Sequence, residues 1–140
     1  MNRLILIVAC VIVLVAVAYS SVRSEIFSAF ENNFKGTWIP ENQSSCIAAM
    51  RIEIQGDFVV FYNKNDRVTF RNLGICRSCG GASHGQGIEI QVYPEDTLPS
   101  PFIIRLNADE KEGVMVVDMQ DAKLSKRFPF GVLKFKKCKQ

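Results

Sequence analysis

Apolar and polar residues alternate with a period of two through most of the chain after residue 49. Met50, Ile52 and Ile54 alternate with polar residues, and a similar alternation runs over residues 88–93. This period is typical of a strand that buries one face. We predict further strands at residues 58–62, at Val68, Phe70 and Leu73, at residues 102–106 and 114–119 as a hairpin, and at residues 132–138.

One segment ahead of these strands has a helical period instead. Residues 24–34 carry four apolar side chains on one stripe, behind Ser24 as a cap. With a short strand around Trp38, the predicted strands number about eight. We therefore predict an all-β fold, a small antiparallel barrel with a short N-terminal helix, with a β-sandwich as the alternative. A barrel of this size can close on itself, and closure removes exposed strand edges.

The first twenty residues resemble a secretory signal peptide. Arg3 precedes an apolar run over residues 4–18, and residues 18–20 offer small side chains for cleavage before Ser21. We predict a signal peptide over 1–20 and a single disulfide-linked β domain over 21–140, exported to the periplasm or secreted. A retained membrane anchor is the alternative, and a lipidation site at Cys10 is a weaker one.

Charge is nearly balanced overall but unevenly distributed. Seventeen Lys and Arg face fourteen Asp and Glu, a balance that gives no case for nucleic acid as a partner. Residues 89–121 hold eight acids and two bases, whereas residues 123–140 hold seven bases and no acid. Lys134 and Lys136 are predicted to share the outward face of the last strand, where they either steer an anionic partner or protect the strand from edge pairing.

Export determines how the cysteines are interpreted. Four of them lie after the signal peptide, and four cysteines in a small exported domain most often form two disulfides. Of the three pairings, we favour Cys46–Cys138 with Cys76–Cys79, which joins the front of the domain to its last strand.

The segment over residues 76–87 concentrates candidate chemistry, with two cysteines, four glycines and the only histidine. Cys76, Cys79 and His84 give three of the four ligands that a structural zinc site needs. A redox dithiol would have its reactive cysteine at a helix N-terminus, which the glycines after Cys79 disfavour. We favour a disulfide-stapled loop, keep a thiol or metal site as the alternative, and predict no cofactor.

The stretch FKGTW, residues 34–38, resembles the Gly-x-Trp start of the lipocalin and fatty-acid-binding superfamily, the calycins. The resemblance rests on Gly36 and Trp38 and implies structural roles for both. In that superfamily a basic residue near the end of the barrel stacks on the Trp. The resemblance also implies a small apolar ligand held between strands, and the candidate lining residues are Phe58, Val60, Ile90, Ile104 and Phe135. For the stacking residue, the candidates are Lys136, Lys137 and Arg127.

Catalytic arrangements are scarce in the sequence. The chain has one His, no Gly-x-Ser-x-Gly motif, and carboxylate pairs only in polar turns at residues 95–96 and 109–110. We therefore predict no catalytic residues and a non-enzymatic binding protein that holds an apolar small molecule or docks an envelope or extracellular protein. The alternative is a protein-binding inhibitor or immunity-type factor that acts through loops such as 76–87 and 94–101.

One aromatic turn has two alternative roles. Residues 127–131 place Phe128 and Phe130 on either side of a proline. Exposed, this turn would be a recognition site, and buried, it would cap the barrel. The ten phenylalanines of the chain favour burial.

Overall fold

The computed structural model describes residues 34–56, 58–76, 79 and 88–139, which belong to one compact unit, Phe34–Gln140. The predicted signal peptide, and the predicted helix over residues 24–34 apart from its last residue, lie outside the described residues. So does most of the 76–87 segment, including His84. In the part of the chain that is described, no helix is long and apolar enough to cross a membrane.

Nine strands form one antiparallel sheet that curls into a nearly closed barrel, as the alternation of residues predicts. A 3-10 turn follows β7, and a short helix, α1, follows β8. The strands are β1 Gly36–Pro40, β2 Met50–Gln55, β3 Phe58–Asn63, β4 Asp66–Phe70, β5 Leu73–Cys76, β6 Ile90–Pro94, β7 Phe102–Leu106, β8 Val114–Met119 and β9 Lys134–Lys137, and the 3-10 turn spans Ala108–Glu110 and α1 spans Ala122–Arg127.

The barrel closes through the pairing of the first strand with the last. The order is β4-β3-β2-β1-β9-β8-β7-β6-β5, and all neighbours in it are antiparallel. Apart from the β1–β9 pair, every paired set of strands is consecutive in sequence, and β4 and β5 are the only consecutive strands of the described sheet that do not pair. Such an up-and-down arrangement is built from hairpins and short connections.

The strands at the two edges, β4 and β5, are successive halves of one bent strand. They are the first and the ninth strand in the sheet order, and because every neighbour is antiparallel, they run in the same direction. Only Arg71 and Asn72 separate them in sequence. Asn72 has a φ of 50°, in the left-handed region that asparagine tolerates better than most residues. The first half bonds to β3 and the second to β6, so this bend nearly closes the sheet.

A cluster of phenylalanine rings fills the barrel near α1. Phe61 lies at its centre, with ring centroids at 4.7 Å from Phe102, 5.0 Å from Phe130 and 5.3 Å from Phe70. Tilted and edge-to-face contacts at these distances are the favourable arrangements for aromatic pairs. Phe61, Phe102 and Phe130 are completely buried.

The aromatic turn after α1 is buried, as predicted. Phe128 and Phe130 are both inaccessible to solvent, and the Phe130 ring also meets that of Phe135, with centroids 5.3 Å apart. The turn therefore places two rings in the apolar interior, where their burial contributes to the stability of the barrel.

Helix α1 was not predicted from the sequence. The carboxylate of Asp121 accepts a hydrogen bond of 2.6 Å from the backbone N–H of Leu124, which is the standard N-cap interaction. The helix ends at Arg127, two residues before Pro129, because a proline disfavours helical backbone at the residue before it. Leu124 is its buried side chain and anchors it to the barrel.

Candidate functional site

The connections at one end of the barrel form the candidate site, which we call the α1 end. It comprises residues 95–101 between β6 and β7, residues 120–133 between β8 and β9, and the turn at 64–65 between β3 and β4. The backbone N–H groups of Gln120 and Asp121 both donate to the carbonyl of Pro101, at 2.9 and 3.0 Å. These bonds hold the first two connections side by side.

An exposed ion pair joins the last residue of α1 to the first residue of β4, directly after the third connection. The guanidinium of Arg127 donates to both carboxylate oxygens of Asp66, at 2.8 and 2.7 Å. These hydrogen bonds lower the pKa of Asp66 and raise that of Arg127. The carbonyl of Arg127 also accepts a bond of 2.6 Å from the Asn63 side-chain amide. The two parallel hydrogen bonds between Arg127 and Asp66 set the position of α1 relative to β4.

Two apolar side chains project into solvent from the α1 end. Leu98 is 91% exposed in the connection over 95–101, and Val132 is 92% exposed in the turn before β9. Lys123 and Lys126 are exposed on α1 between these positions in sequence. Exposed large apolar side chains are candidates for contact with another protein, so the α1 end is the candidate site.

Leu98 and Val132 were not named among the predicted site residues. Leu98 is a single apolar residue among Pro and polar residues and carries no periodic signal, whereas Val132, followed by Leu133, was assigned to the predicted strand over 132–138, which in the structure begins only at Lys134. The predicted docking loop over 94–101 does include Leu98.

The two predicted cysteine pairs lie at disulfide distance. The Cα atoms are 5.7 Å apart in Cys46–Cys138 and 5.6 Å apart in Cys76–Cys79. Both distances fall within the usual range for a disulfide. β9 begins at the α1 end, and Cys138 follows its other end. The Cys46–Cys138 bridge therefore draws the 41–49 connection back along β1, away from the α1 end.

A groove of about 500 Å³ lies beside this bridge. Thr37, Glu53 and Lys137 are among its lining residues, together with both cysteines of the bridge. The carboxylate of Glu53 is engaged, since it accepts hydrogen bonds from Arg51 at 3.0 Å and from Tyr62 at 3.1 Å. The residues that line the groove include none of the rings of the aromatic interior.

Among the predicted lining residues, three face the barrel interior. Ile104 and Phe135 are fully buried there, and Ile90, opposite Leu106 in the register, is half-buried. Phe58 and Val60 lie on the other face of β3, because side chains alternate along a strand and Phe61 points inward.

The structural residues of the Gly-x-Trp stretch lie at the start of the barrel. Trp38 is 1% exposed, and its ring N–H donates a 2.9 Å hydrogen bond to the carbonyl of Phe34. Lys137, one of the three basic candidates, is the register partner of Trp38 on β9. Gly36 has a φ of 130°, in a region that residues with a side chain rarely adopt.

Other charged residues have structural partners. Arg105 forms an ion pair with Asp118 at 2.9 Å and with Glu89 at 3.2 Å. Lys134 and Lys136 point outward from β9, as predicted, and Lys136 donates to the carbonyl of Glu41 at 2.8 Å. These contacts join two neighbouring strands and attach the residues that adjoin them to the barrel wall.

The carboxylates in the polar turns also make structural bonds. Asp96 accepts a hydrogen bond from the Asn72 amide at 2.5 Å, and Glu110 accepts one from the backbone of Ile88 at 2.6 Å. Within the described residues, no group of three or more His, Cys, Asp or Glu side chains is placed to hold a metal ion.

No protein-family model, curated protein or solved structure matches the chain.

Proposed function

We propose that the protein is an exported, non-enzymatic binding protein that docks another protein on the α1 end of its barrel. One contrast carries the proposal. Leu98 and Val132 are more than nine-tenths exposed on adjoining connections, whereas the interior beneath them is occupied by tightly packed rings. Apolar contact surface is therefore available outside the barrel near α1.

The cysteine pairs support export. Disulfides persist in oxidising compartments such as the periplasm and the extracellular space, and the predicted signal peptide over 1–20 agrees with this. The target would then be an envelope or extracellular protein.

Charge favours an acidic surface on that target. Lys123 and Lys126 are exposed on α1, in the same connection as Val132. Basic residues around an apolar centre speed association with an acidic partner and help to orient it. An inhibitor or immunity-type factor acting through its loops is one form of the same function.

A second candidate function is the binding of a small apolar molecule, which the calycin resemblance implies. Val68 and Phe70 face the interior from β4, yet they are only half-buried beside the break in the sheet. An apolar molecule entering there would meet the aromatic cluster.

Photo-crosslinking in the producing cells tests the docking proposal. A photoreactive residue replaces Leu98, Val132 or, as the matched control, Ile47. Ile47 is also apolar and 87% exposed, but it lies next to the bridge at the other end of β9. We expect the same crosslinked protein from positions 98 and 132 and not from position 47.

Paired charge substitutions complete this test. Leu98→Glu with Val132→Glu should abolish co-purification of the crosslinked protein, whereas Ile47→Glu should leave it unchanged. Equal crosslinking from all three positions, or co-purification unaffected by the double substitution, would overturn the docking proposal. A stoichiometric apolar molecule in a native mass spectrum would favour the second candidate instead.

A further inference from the structure

No described strand pairs with the outer edge of β4. β4 stands at one end of the sheet order and pairs with β3 alone, among the residues that the structure describes. Its neighbour along the chain, β5, turns away at Asn72 to pair with β6. An unpaired strand edge presents backbone donors and acceptors that an extended segment of another chain can use.

The inward face of β4 has room for apolar contacts. Val68 and Phe70 are half-buried, whereas their register partners on β3, Phe61 and Val59, are completely buried. The Phe70 ring meets Phe61 and Phe102 at centroid distances of 5.3 and 4.6 Å. An apolar side chain from an added strand would cover the remaining exposed surface of Phe70 and extend this cluster.

The outward face of β4 is basic. Arg67 and Thr69 are exposed, and Arg71 follows directly after the strand. The guanidinium of Arg67 lies 5.6 Å from the centroid of the Tyr62 ring. That of Arg71 lies 5.2 Å from the centroid of the Phe58 ring. Neither group forms a salt bridge with a described residue. Both are placed to pair with carboxylates on a neighbouring strand.

We propose that β4 is a docking edge for an extended strand of a partner protein, in which apolar residues facing inward alternate with acidic residues facing outward. The backbone edge would supply affinity, and the two faces would supply the sequence preference, since opposite charges on neighbouring strands attract. This surface is distinct from Leu98 and Val132, so it adds a contact beyond the docking proposed above.

A second copy of the chain is a poorer occupant. Antiparallel pairing of two β4 strands about Val68 would place Arg67 of one copy diagonally across from Arg67 of the other. Like charges on neighbouring strands are unfavourable, which disfavours this homodimer. Exposed arginines at the edge therefore select an acidic strand and discourage self-association.

Two blocked synthetic peptides test the proposal with the full exported protein. In one, valine alternates with glutamate, and in the other, valine alternates with lysine. Binding is measured by NMR as shifts of the backbone amides of β4 and as their protection from hydrogen exchange. We expect the glutamate peptide to protect those amides of residues 66–70 that point away from β3, and the lysine peptide to leave them unchanged.

Charge reversal provides the matched variants. The double variant Arg67→Glu with Arg71→Glu should lower the affinity for the glutamate peptide by about tenfold and should bind the lysine peptide. The double variant Lys123→Glu with Lys126→Glu makes the same change of charge on α1 and should leave the affinities for both peptides unchanged. Shifts confined to residues other than 66–70, no binding of either peptide, or equal effects of the two double variants would each overturn the proposal. Concentration-dependent dimerisation through residues 66–70 without peptide would overturn it in favour of the homodimer.

Discussion

Gly74 occupies a position in β5 where any side chain would collide with its neighbours. An added Cβ would lie 2.7 Å from Cγ of Glu95 and 2.8 Å from a ring carbon of Tyr93. Gly74→Ala should therefore lower the free energy of unfolding by about 1–3 kcal/mol, measured by urea denaturation. Gly131→Ala is the control, since its nearest neighbour, Cγ of Met119, would be 3.6 Å away. Similar losses for both substitutions would contradict this account of Gly74.

Asp66 should titrate below the ordinary range of an aspartate. The hydrogen bonds from Arg127 lower its pKa in the folded protein. A lowered folded-state pKa means that the pair contributes stability at neutral pH and loses it below about pH 4, as the carboxylate takes up a proton. An NMR titration of the Asp66 carboxyl should show a rise in pKa in Arg127→Gln. An unchanged pKa in that variant would assign the shift to another cause.

Single residues of the candidate site were largely beyond sequence analysis. The cysteines could be paired, because the predicted export and the spacing of the cysteines restrict the choices, and both predicted pairs lie at disulfide distance. Leu98 and Val132 could not be identified, since their exposure follows from how two connections adjoin at the end of the barrel. The Arg127–Asp66 pair joins residues 61 positions apart, a contact that only the tertiary fold creates.

Strands were predicted well where polar residues mark one face. In β2, Arg51 and Glu53 define the outward face, so Ile52 and Ile54 could be assigned to the interior. In β3, the run over residues 58–62 is almost entirely apolar, and alternation could not show which residues face inward. That is why Phe58 and Val60 were proposed as lining residues although they lie on the other face.

The bent strand also has a signal in the sequence, though a weak one. The inward residues have even numbers in β4, with Val68 and Phe70, and odd numbers in β5, with Leu73 and Ile75. This change of phase marks the break at Asn72, which the prediction of one continuous strand missed. The left-handed backbone at Asn72 accommodates this one-residue change of phase between β4 and β5.

Helix α1 is too short for a periodic pattern to reveal it, and it depends on its cap. Asp121→Ala removes the acceptor for the Leu124 N–H and should lower the free energy of unfolding by about 0.5–2 kcal/mol. The measurement is thermal or urea denaturation, with Lys126→Ala on the exposed side of the same helix as the control. Equal effects of the two substitutions would mean that the cap contributes nothing specific.

The long disulfide should dominate the stability of the whole domain. Cys46 and Cys138 are 92 residues apart, so their bridge closes nearly the entire barrel into a loop. In the chain-entropy model, replacing both cysteines with serine costs about 4–5 kcal/mol, against about 2 kcal/mol for the Cys76–Cys79 pair. Urea denaturation of the two double variants measures this ranking. A larger loss for the Cys76–Cys79 variant would contradict it.

Closure between the first and last strands makes the domain dependent on its two ends. β1 pairs with β9, and the long bridge covalently links the connection after β1 to the residue that follows β9. In the part of the chain that the structure describes, the unpaired strand edges belong to β4 and β5, the two halves of the bent strand. We infer that binding functions belong to the outer surface, namely the α1 end and the open edge of β4.

Native mass spectrometry of the protein purified from its producing cells tests the filled, doubly bridged barrel most directly. We predict a polypeptide mass four hydrogens below that of the same chain with the four thiols of the two cysteine pairs reduced. We also predict that no small molecule is bound. A stoichiometric apolar adduct, or a mass showing the same four thiols reduced, would contradict the account.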